Sequence, residues 1–501
     1  MKLREFVKWG ACGLALSMFS FSSCAAKNVS QESSQAKQPN ILLVLCDDLG
    51  YNDVGFNGSS DIVTPNLDKL ANTGVVFTSA YVTHPFCGPS RASILTGRYP
   101  HLIGTPYNLR EDGSRPNIGV PAEETYISTV LQNAGYHTAA IGKWHLGFGP
   151  DFCPNDRGFT DFYGFLGGGH EYFPEKFNET YQQQVRAGVS PIREYIRPLE
   201  HNGVEVDEKE YITDALSREA VRVIQESSDM QKPFFMYLAY NAPHVPLQAK
   251  EEDMAQFPNI EDKDRRTYAG MVYAVDRGVG KIVEALKETG QLENTLIVFF
   301  SDNGGNIDHG ASNLPLKGTK GDTWEGGFRT PMFFHWPEKL KGGSRFDEAV
   351  SSLDLYPTFA AIANASVPAQ KVLDGQDILP DLTGEKSTLK DRTIFALRYR
   401  EGYSDVGIRQ NEWKATRMGN EPWQLYKITD DLGEKKDMSN RFPEKLREMV
   451  NMAEKWSQTH VRPLWVYSQK DLELWNSGVL PGYEGTFEVE KLVAPPSALP
   501  K

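Results

Sequence analysis

Four continuous apolar runs, at residues 41–46, 138–141, 234–239 and 295–300, constrain the fold of this chain more than any other feature. None alternates with polar residues, so each reads as a strand buried on both faces, and each is too short for a core helix. Helical segments separate them. Thr64 stands at a capping position, Pro65 opens a helix over 65–73, and Gly74 stops it. Residues 125–134 repeat the pattern with Gly135 as terminator, and 268–289 form a longer amphipathic helix ending at Gly290. Strands alternating with helices predict an α/β domain with a large, mostly parallel sheet flanked by helices. The composition turns polar near 379–390, around Pro380 and Gly384. Beyond it, strand-like pieces at 393–397, 404–408, 413–416 and 424–426 and a helix at 443–458 predict a smaller C-terminal domain of antiparallel sheet plus helix. The expected domain ranges are 39–385 and 386–501. The stretch from about Gln469, rich in Pro and Gly, is expected to wrap the surface.

The first 24 residues read as an export signal. Lys2, Arg4 and Lys8 precede an apolar stretch over 9–21 that is too short to span a membrane comfortably. Ser22-Ser23-Cys24 resembles a bacterial lipoprotein cleavage site with Cys24 as the lipidated residue; the alternative is an ordinary secretory cut near Ala25 or Ala26. Both place the mature protein in the periplasm or at the outer membrane or cell surface, and the lipidated form would be anchored to a membrane. Residues 25–38 read as a flexible tether. The net charge of −13 argues against nucleic acid as a partner and means that an anionic substrate must be attracted by a local cationic pocket. Apart from Cys12 and Cys24, the cysteines are Cys46, Cys87 and Cys153, too few for a disulfide scaffold and without zinc-like spacing. A Cys46–Cys153 bridge stays open.

Polar groups follow each apolar run at once: Asp47-Asp48, then Lys143 and His145, then Asn241 and His244, then Asp302-Asn303. An open parallel sheet binds ligands at the carboxyl ends of its strands, so these residues should converge. Carboxylates crowded there need a counter-ion, and a hard divalent cation fits an oxygen-rich set; calcium and magnesium both remain open on chemistry alone. Between the first two runs lies Cys87-Gly88-Pro89-Ser90-Arg91-Ala92-Ser93-Ile94-Leu95-Thr96-Gly97-Arg98. Pro89 suits the first turn of a helix and Ser90 can cap its amides, which puts the thiol and Arg91 where an anion would bind.

This pattern, Cys-x-Pro-Ser-Arg-x-x-x-Leu-Thr-Gly-Arg, resembles the signature of the type I sulfatases, whose cysteine is oxidised to formylglycine. Asp47-Asp48, residues 142–147, 242–246 and 301–304, Gly318-Thr319-Lys320 and Glu325-Gly326-Gly327 look like successive blocks of that family, in order, from Pro39 to Pro331. The resemblance implies an alkaline phosphatase-like fold and an exported bacterial sulfuric ester hydrolase. It implies that a maturation enzyme converts Cys87 to formylglycine, whose hydrate attacks sulfur and later loses a proton to expel sulfate. It implies Ca2+ held by Asp47, Asp48, Asp302 and Asn303 and touching the modified Cys87. Arg91 and His145 would hold the hydrated aldehyde, Lys143 and Lys320 would bind sulfate oxygens, and His244, with Lys320 nearby, would protonate the departing alcohol. Preorganised cations suit the charge that spreads over sulfate oxygens, and a sugar alcohol needs a positioned acid. In the loop Gly167-Gly168-Gly169-His170-Glu171, His170 and Glu171 are candidate readers of sugar hydroxyls, a plain surface loop being the alternative. The expected substrate is a sulfated saccharide from mucin, glycosaminoglycan or algal polysaccharide, with galactose or N-acetylgalactosamine sulfate favoured. The rivals are a phosphodiesterase or phosphonate hydrolase of the same superfamily and a non-catalytic lipoprotein that binds sulfated glycan.

Overall fold

All four apolar runs lie side by side at the centre of one sheet. In the computed structural model, which describes residues 38–110, 117–400, 402–477 and 485–489, the main strands are β1 (Asn40–Cys46), β2 (His137–Lys143), β3 (Asp161–Phe165), β4 (Phe234–Ala239), β5 (Thr295–Ser301) and β6 (Met332–His335). Their order across the sheet is β6-β5-β1-β4-β2-β3. Strands Val75–Phe77 and Ser344–Phe346 extend it beyond β6, and Leu199–His201 and Val204–Val206 extend it beyond β3, making ten. The central five are parallel, whereas β6 runs antiparallel to β5. The absence of alternation has a direct cause. Leu42 and Val44 pack into a core on one face while Ile41, Leu43 and Leu45 pack into another on the opposite face, all with no exposure. Each such side chain contributes roughly 1.5–3 kcal/mol of burial.

Register aligns the strand ends. Cys46 lies opposite Ser301, Leu45 opposite Ala239, and Ala239 opposite Gly142. The residues that follow are therefore delivered to one edge, as the sheet rule requires.

Helices α1 (Pro65–Asn72), α2 (Cys87–Thr96) and α3 (Lys263–Glu288) refine the expected elements. Thr64 precedes α1 but does not cap it by a side-chain bond; the buried Asp276 of α3 accepts from the Asn66 and Leu67 amides at 3.0 and 2.8 Å instead. Helix α2 opens at Cys87 rather than at Pro89, so Ser90 sits inside it and its buried Oγ caps nothing. Helix α3 starts a turn before Tyr268 because Asp262 accepts from the Arg265 amide at 2.7 Å.

The C-terminal sheet is an antiparallel meander of β7 (Thr393–Arg400), β8 (Tyr403–Gln410), β9 (Trp413–Arg417) and β10 (Gln424–Lys427), carrying α4 (Pro443–Ser457). Its own apolar cluster joins Leu397, Ile408, Ala415 and Leu425 to Met449 and Val450, and also takes in Tyr107 and Phe148 of the larger part. Residues 469–476 do not merely wrap the surface: they form α5 (Gln469–Asn476), whose buried Trp475 packs edge-on to Tyr399 at 4.9 Å. The export segment, Cys24 and the tether to residue 37 lie outside the described residues. Gln38, expected in the tether, belongs to the fold and donates from Nε2 to the Ala363 carbonyl at 3.0 Å. Cys46 is a buried free thiol, so the Cys46–Cys153 bridge does not form. Among the described residues no helix is long and apolar enough to cross a membrane.

Candidate active site

Phe86 is extended (φ −136°, ψ 151°) and the chain turns helical at Cys87, which sets the thiol at the electropositive end of α2. The Gly88 amide in this first turn donates to Asn108 Oδ1 at 2.9 Å. Cys87 Sγ lies 3.4 Å from Asp47 Oδ1 and 3.3 Å from Lys320 Nζ. The expected site residues gather around it. Lys143 Nζ meets Asp47 Oδ2 at 2.5 Å, and Lys320 Nζ meets Asp48 Oδ1 at 2.6 Å. Arg91 donates from Nε to Asp302 Oδ2 at 2.8 Å and from Nη1 to the Lys143 carbonyl at 3.0 Å. Asn303 donates from Nδ2 to Asp48 Oδ1 at 2.7 Å. His244 Nε2 stands 3.8 Å from Asp48 Oδ2, and His145 Nε2 faces the Leu109 carbonyl at 3.0 Å.

Backbone shape makes these approaches possible. Asp48 and His145 both adopt left-handed conformations, with φ of 64° and 62°, which turn the chain sharply after β1 and β2. Gly142 has φ 101°, and a Cβ there would lie 2.0 Å from the Ala239 carbonyl oxygen. Only glycine lets β2 run that close to β4 while delivering Lys143.

Electrostatics follow from burial. Burial raises the Asp47 carboxyl, but Lys143, His244, Arg91 and Lys320 outweigh it and hold it well below the usual carboxylate range. Burial and the neighbouring Asp47 push Asp302 up to about 7 against the pull of Arg91. Burial pushes the Cys87 thiol up to about 12 and the His244 imidazole down to about 4. An unmodified Cys87 is therefore a protonated and poor nucleophile. His244 Nδ1 faces the Val245 carbonyl at 2.8 Å; the neutral ring donates there and turns an unprotonated Nε2 towards Asp48.

The donor set fits a hard cation. Ligand atoms of Asp47, Asp48, Cys87 and His244 all lie within 4.8 Å of one another. Asn303 Oδ1 is buried without a hydrogen-bond partner, an acceptor with nothing to accept from. The two carboxylates of this cluster, with the Asn303 amide oxygen beside them, could hold a metal ion.

Cys87 forms part of the floor of an open cleft of ≈ 470 Å³, with His145, His244 and Lys320. Several lining residues carry no signal in the sequence. Tyr195 comes from a short 3-10 helix (Glu194–Ile196), and Arg398 comes from β7 of the C-terminal sheet. Only the fold brings them to the site. The glycine-rich loop reaches the cleft through Gly168, where a Cβ would meet His145 Nε2 at 2.9 Å. His170 and Glu171 do not line it. His170 is fully buried between Phe165 and Phe177, and its ring nitrogens face the Glu171 and Arg197 carbonyls at 2.6 and 2.7 Å. Glu171 is held by Arg193 at 2.9 Å and Gln248 at 2.6 Å. Both are engaged by protein groups, and neither lines this cleft. Asn241 also works on this loop, donating to the His170 carbonyl at 2.9 Å.

Comparison with known proteins agrees with this geometry. The sulfatase family model matches residues 39–365, and that of the N-sulphoglucosamine sulphohydrolase C-terminal region matches 320–459. The chain is 34% identical over 447 residues to the uncharacterized sulfatase YdeN of Escherichia coli, covering 80% of this chain and 77% of that one. It is 34% identical over 390 residues to N-acetylgalactosamine-6-sulfatase of Canis lupus familiaris, covering 75% and 71%. The solved structure of Ps i-CgsB in complex with k-i-k-neocarrahexaose superposes with a TM-score of 0.88 at 55% identity, covering 90% of this chain and all of that one. The chain belongs to the sulfatase family and is a sulfuric ester hydrolase.

Proposed function

We propose that the protein removes sulfate from a galactose-type sugar within a sulfated galactan such as carrageenan, using formylglycine made from Cys87 and a bound Ca2+. One observation carries the reading: Cys87 sits at the floor of an open cleft, between Asp47 and Lys320, among carboxylates delivered by separate strands. The neocarrahexaose bound by Ps i-CgsB and the N-acetylgalactosamine-6-sulfatase relatives support a galacto-configured substrate.

Formylglycine at position 87 would supply, as its hydrate, the hydroxyl that attacks sulfur. Asp47, Asp48, Asp302 and Asn303 would hold the cation, which supplies positive charge against a sulfate oxygen. Around that position Asp47, Asp48 and Asp302 at most balance Arg91, Lys143 and Lys320. A divalent ion therefore leaves the pocket net positive inside a protein of charge −13, which is the local attraction an anionic ester needs. Lys143 and Lys320 bind sulfate oxygens where charge develops during attack. Burial lowers both ammonium groups, but Asp47 and Asp48 outweigh it and keep them protonated. Arg91 and His145 orient the group at position 87. His244 gains its proton when the sulfate charge comes against the ring and passes it to the departing alcohol. The phosphodiesterase reading predicts the opposite substrate preference.

The same reading carries export by residues 1–24 to the periplasm or cell surface, anchoring through Cys24, maturation by a formylglycine-forming enzyme, and division into 39–385 and 386–501. The test is sulfate release from defined carrageenan oligosaccharides beside turnover of a phosphodiester, with protein made alongside the maturation enzyme. Sulfate release faster than phosphodiester cleavage supports the reading, and the reverse order refutes it.

A further inference from the structure

The C-terminal sheet places one arginine in the cleft that none of the catalytic roles uses. Arg398, on β7, stacks its guanidinium over the Phe86 ring at 4.5 Å, one residue before Cys87. Its Nη1 donates to the Gly321 carbonyl at 2.9 Å, one residue after Lys320. Those two contacts fix the fork beside the reacting centre. Among the described residues this is its sole hydrogen bond and it makes no ion pair; its Nε is buried without a partner. Arg400, by contrast, two residues along the same strand, is neutralised by Asp405 at 2.5 Å. Arg110 brings a second guanidinium to the same cleft, 5.3 Å over the Tyr467 ring. Glu194 is the sole carboxylate among the described lining residues. An arginine held rigidly at the edge of an active site, with donors left over and no carboxylate paired to it among the described residues, is set up to take an oxyanion.

We infer that Arg398, assisted by Arg110, binds a second oxyanion on the saccharide whose scissile sulfate meets Cys87. The inference rests on the sulfated-saccharide reading above and sharpens it: the preferred substrate carries at least two negative groups. The second group is either another sulfate ester or a uronate carboxylate, since both present the paired oxygens that a guanidinium fork matches. It is bound, not cleaved, because the scissile sulfate is the one that meets Cys87.

The experiment measures kcat/KM for wild type, Arg398→Gln and Arg398→Lys on three oligosaccharides with the same scissile sulfate. One carries no other charge, one a second sulfate, and one a uronate. Wild type should prefer a doubly charged substrate by about ten- to hundredfold, mostly through KM, and whichever arm shows the preference identifies the anion. Arg398→Gln should erase most of that preference, and Arg398→Lys, which keeps the charge and loses the fork, should retain part of it. Equal wild-type rates on all three substrates would overturn the inference while leaving the sulfatase reading intact. So would an Arg398→Gln loss of equal size on the singly charged substrate, which marks a structural role. Should the Gln variant fail to fold, the wild-type ratios and the Lys variant still decide. Failure of wild type to release sulfate from any of the three would instead refute the saccharide reading, and this inference with it.

Discussion

The charge cluster around Cys87 and a second one around Lys414 differ in what closes them. Lys414, on β9, lies 3.0 Å from Glu325 Oε1 and 3.0 Å from Glu434 Oε1, and all three are buried. Glu325 Oε2 is taken by Arg329 at 2.9 Å and by the Tyr81 hydroxyl at 2.8 Å, and Glu434 accepts from the Glu325 amide at 2.8 Å. Each carboxylate there meets a cation of the protein itself, and the contacts tie the C-terminal sheet to the segment just after Lys320. The first cluster is equally buried and equally rich in Lys, Arg and carboxylate. It differs in opening onto a cleft. Buried charge alone does not mark a reactive site, since ion pairs also serve as structural joints. An opening to a cleft marks it.

This contrast predicts a clean division between variants. The largest effect belongs to Cys87→Ala, which should lower sulfate release by at least about 10⁴-fold, the scale seen when a nucleophile is removed. Its urea midpoint should shift by little, and a large loss of stability would break the comparison. Next is His244→Ala, expected to cost about 10²–10⁴-fold on a sugar sulfate, where an acid is needed. On an aryl sulfate, whose phenolate leaves unaided, the loss should be far smaller; equal losses on both would remove His244 as the proton donor. In the second cluster, Lys414→Met leaves two buried carboxylates without their shared cation. It should cost about 3–5 kcal/mol of unfolding free energy, read by denaturant titration, with kcat per folded molecule nearly unchanged. The smallest effect is His170→Ala, which should cost about 1–3 kcal/mol through its backbone partners and leave KM for oligosaccharides unaltered. A raised KM would return His170 to substrate recognition.

The first cluster was legible in the sequence because its residues sit at the ends of strands that advertise themselves by continuous apolar runs. Asp47, Lys143, His244 and Asp302 are each within a few residues of such a run, and parallel register does the rest. The meander at 393–427 was legible for a similar reason, through short strands separated by turns. The second cluster was not, since Lys414 and Glu434 are isolated charges whose burial depends on how two sheets pack. The same holds for Arg398, an ordinary charged residue on an edge of β7 until the fold turns it into the cleft. His170 differs in the opposite direction. A histidine beside three glycines looks accessible, yet Phe165 and Phe177 enclose it and backbone carbonyls occupy its nitrogens. Helix α1 starts at Pro65 as expected but takes its cap from distant Asp276, whereas α2 starts two residues early, at Cys87, where Asn108 accepts from the Gly88 amide. Local sequence contains no trace of a cap supplied from more than two hundred residues away.

Peptide mass spectrometry across residue 87, on protein that is releasing sulfate from a sulfated galactan, tests the account most directly. The account predicts the mass of formylglycine in place of cysteine, in proportion to the activity of each preparation. Full activity in protein whose Cys87 remains a thiol would contradict it.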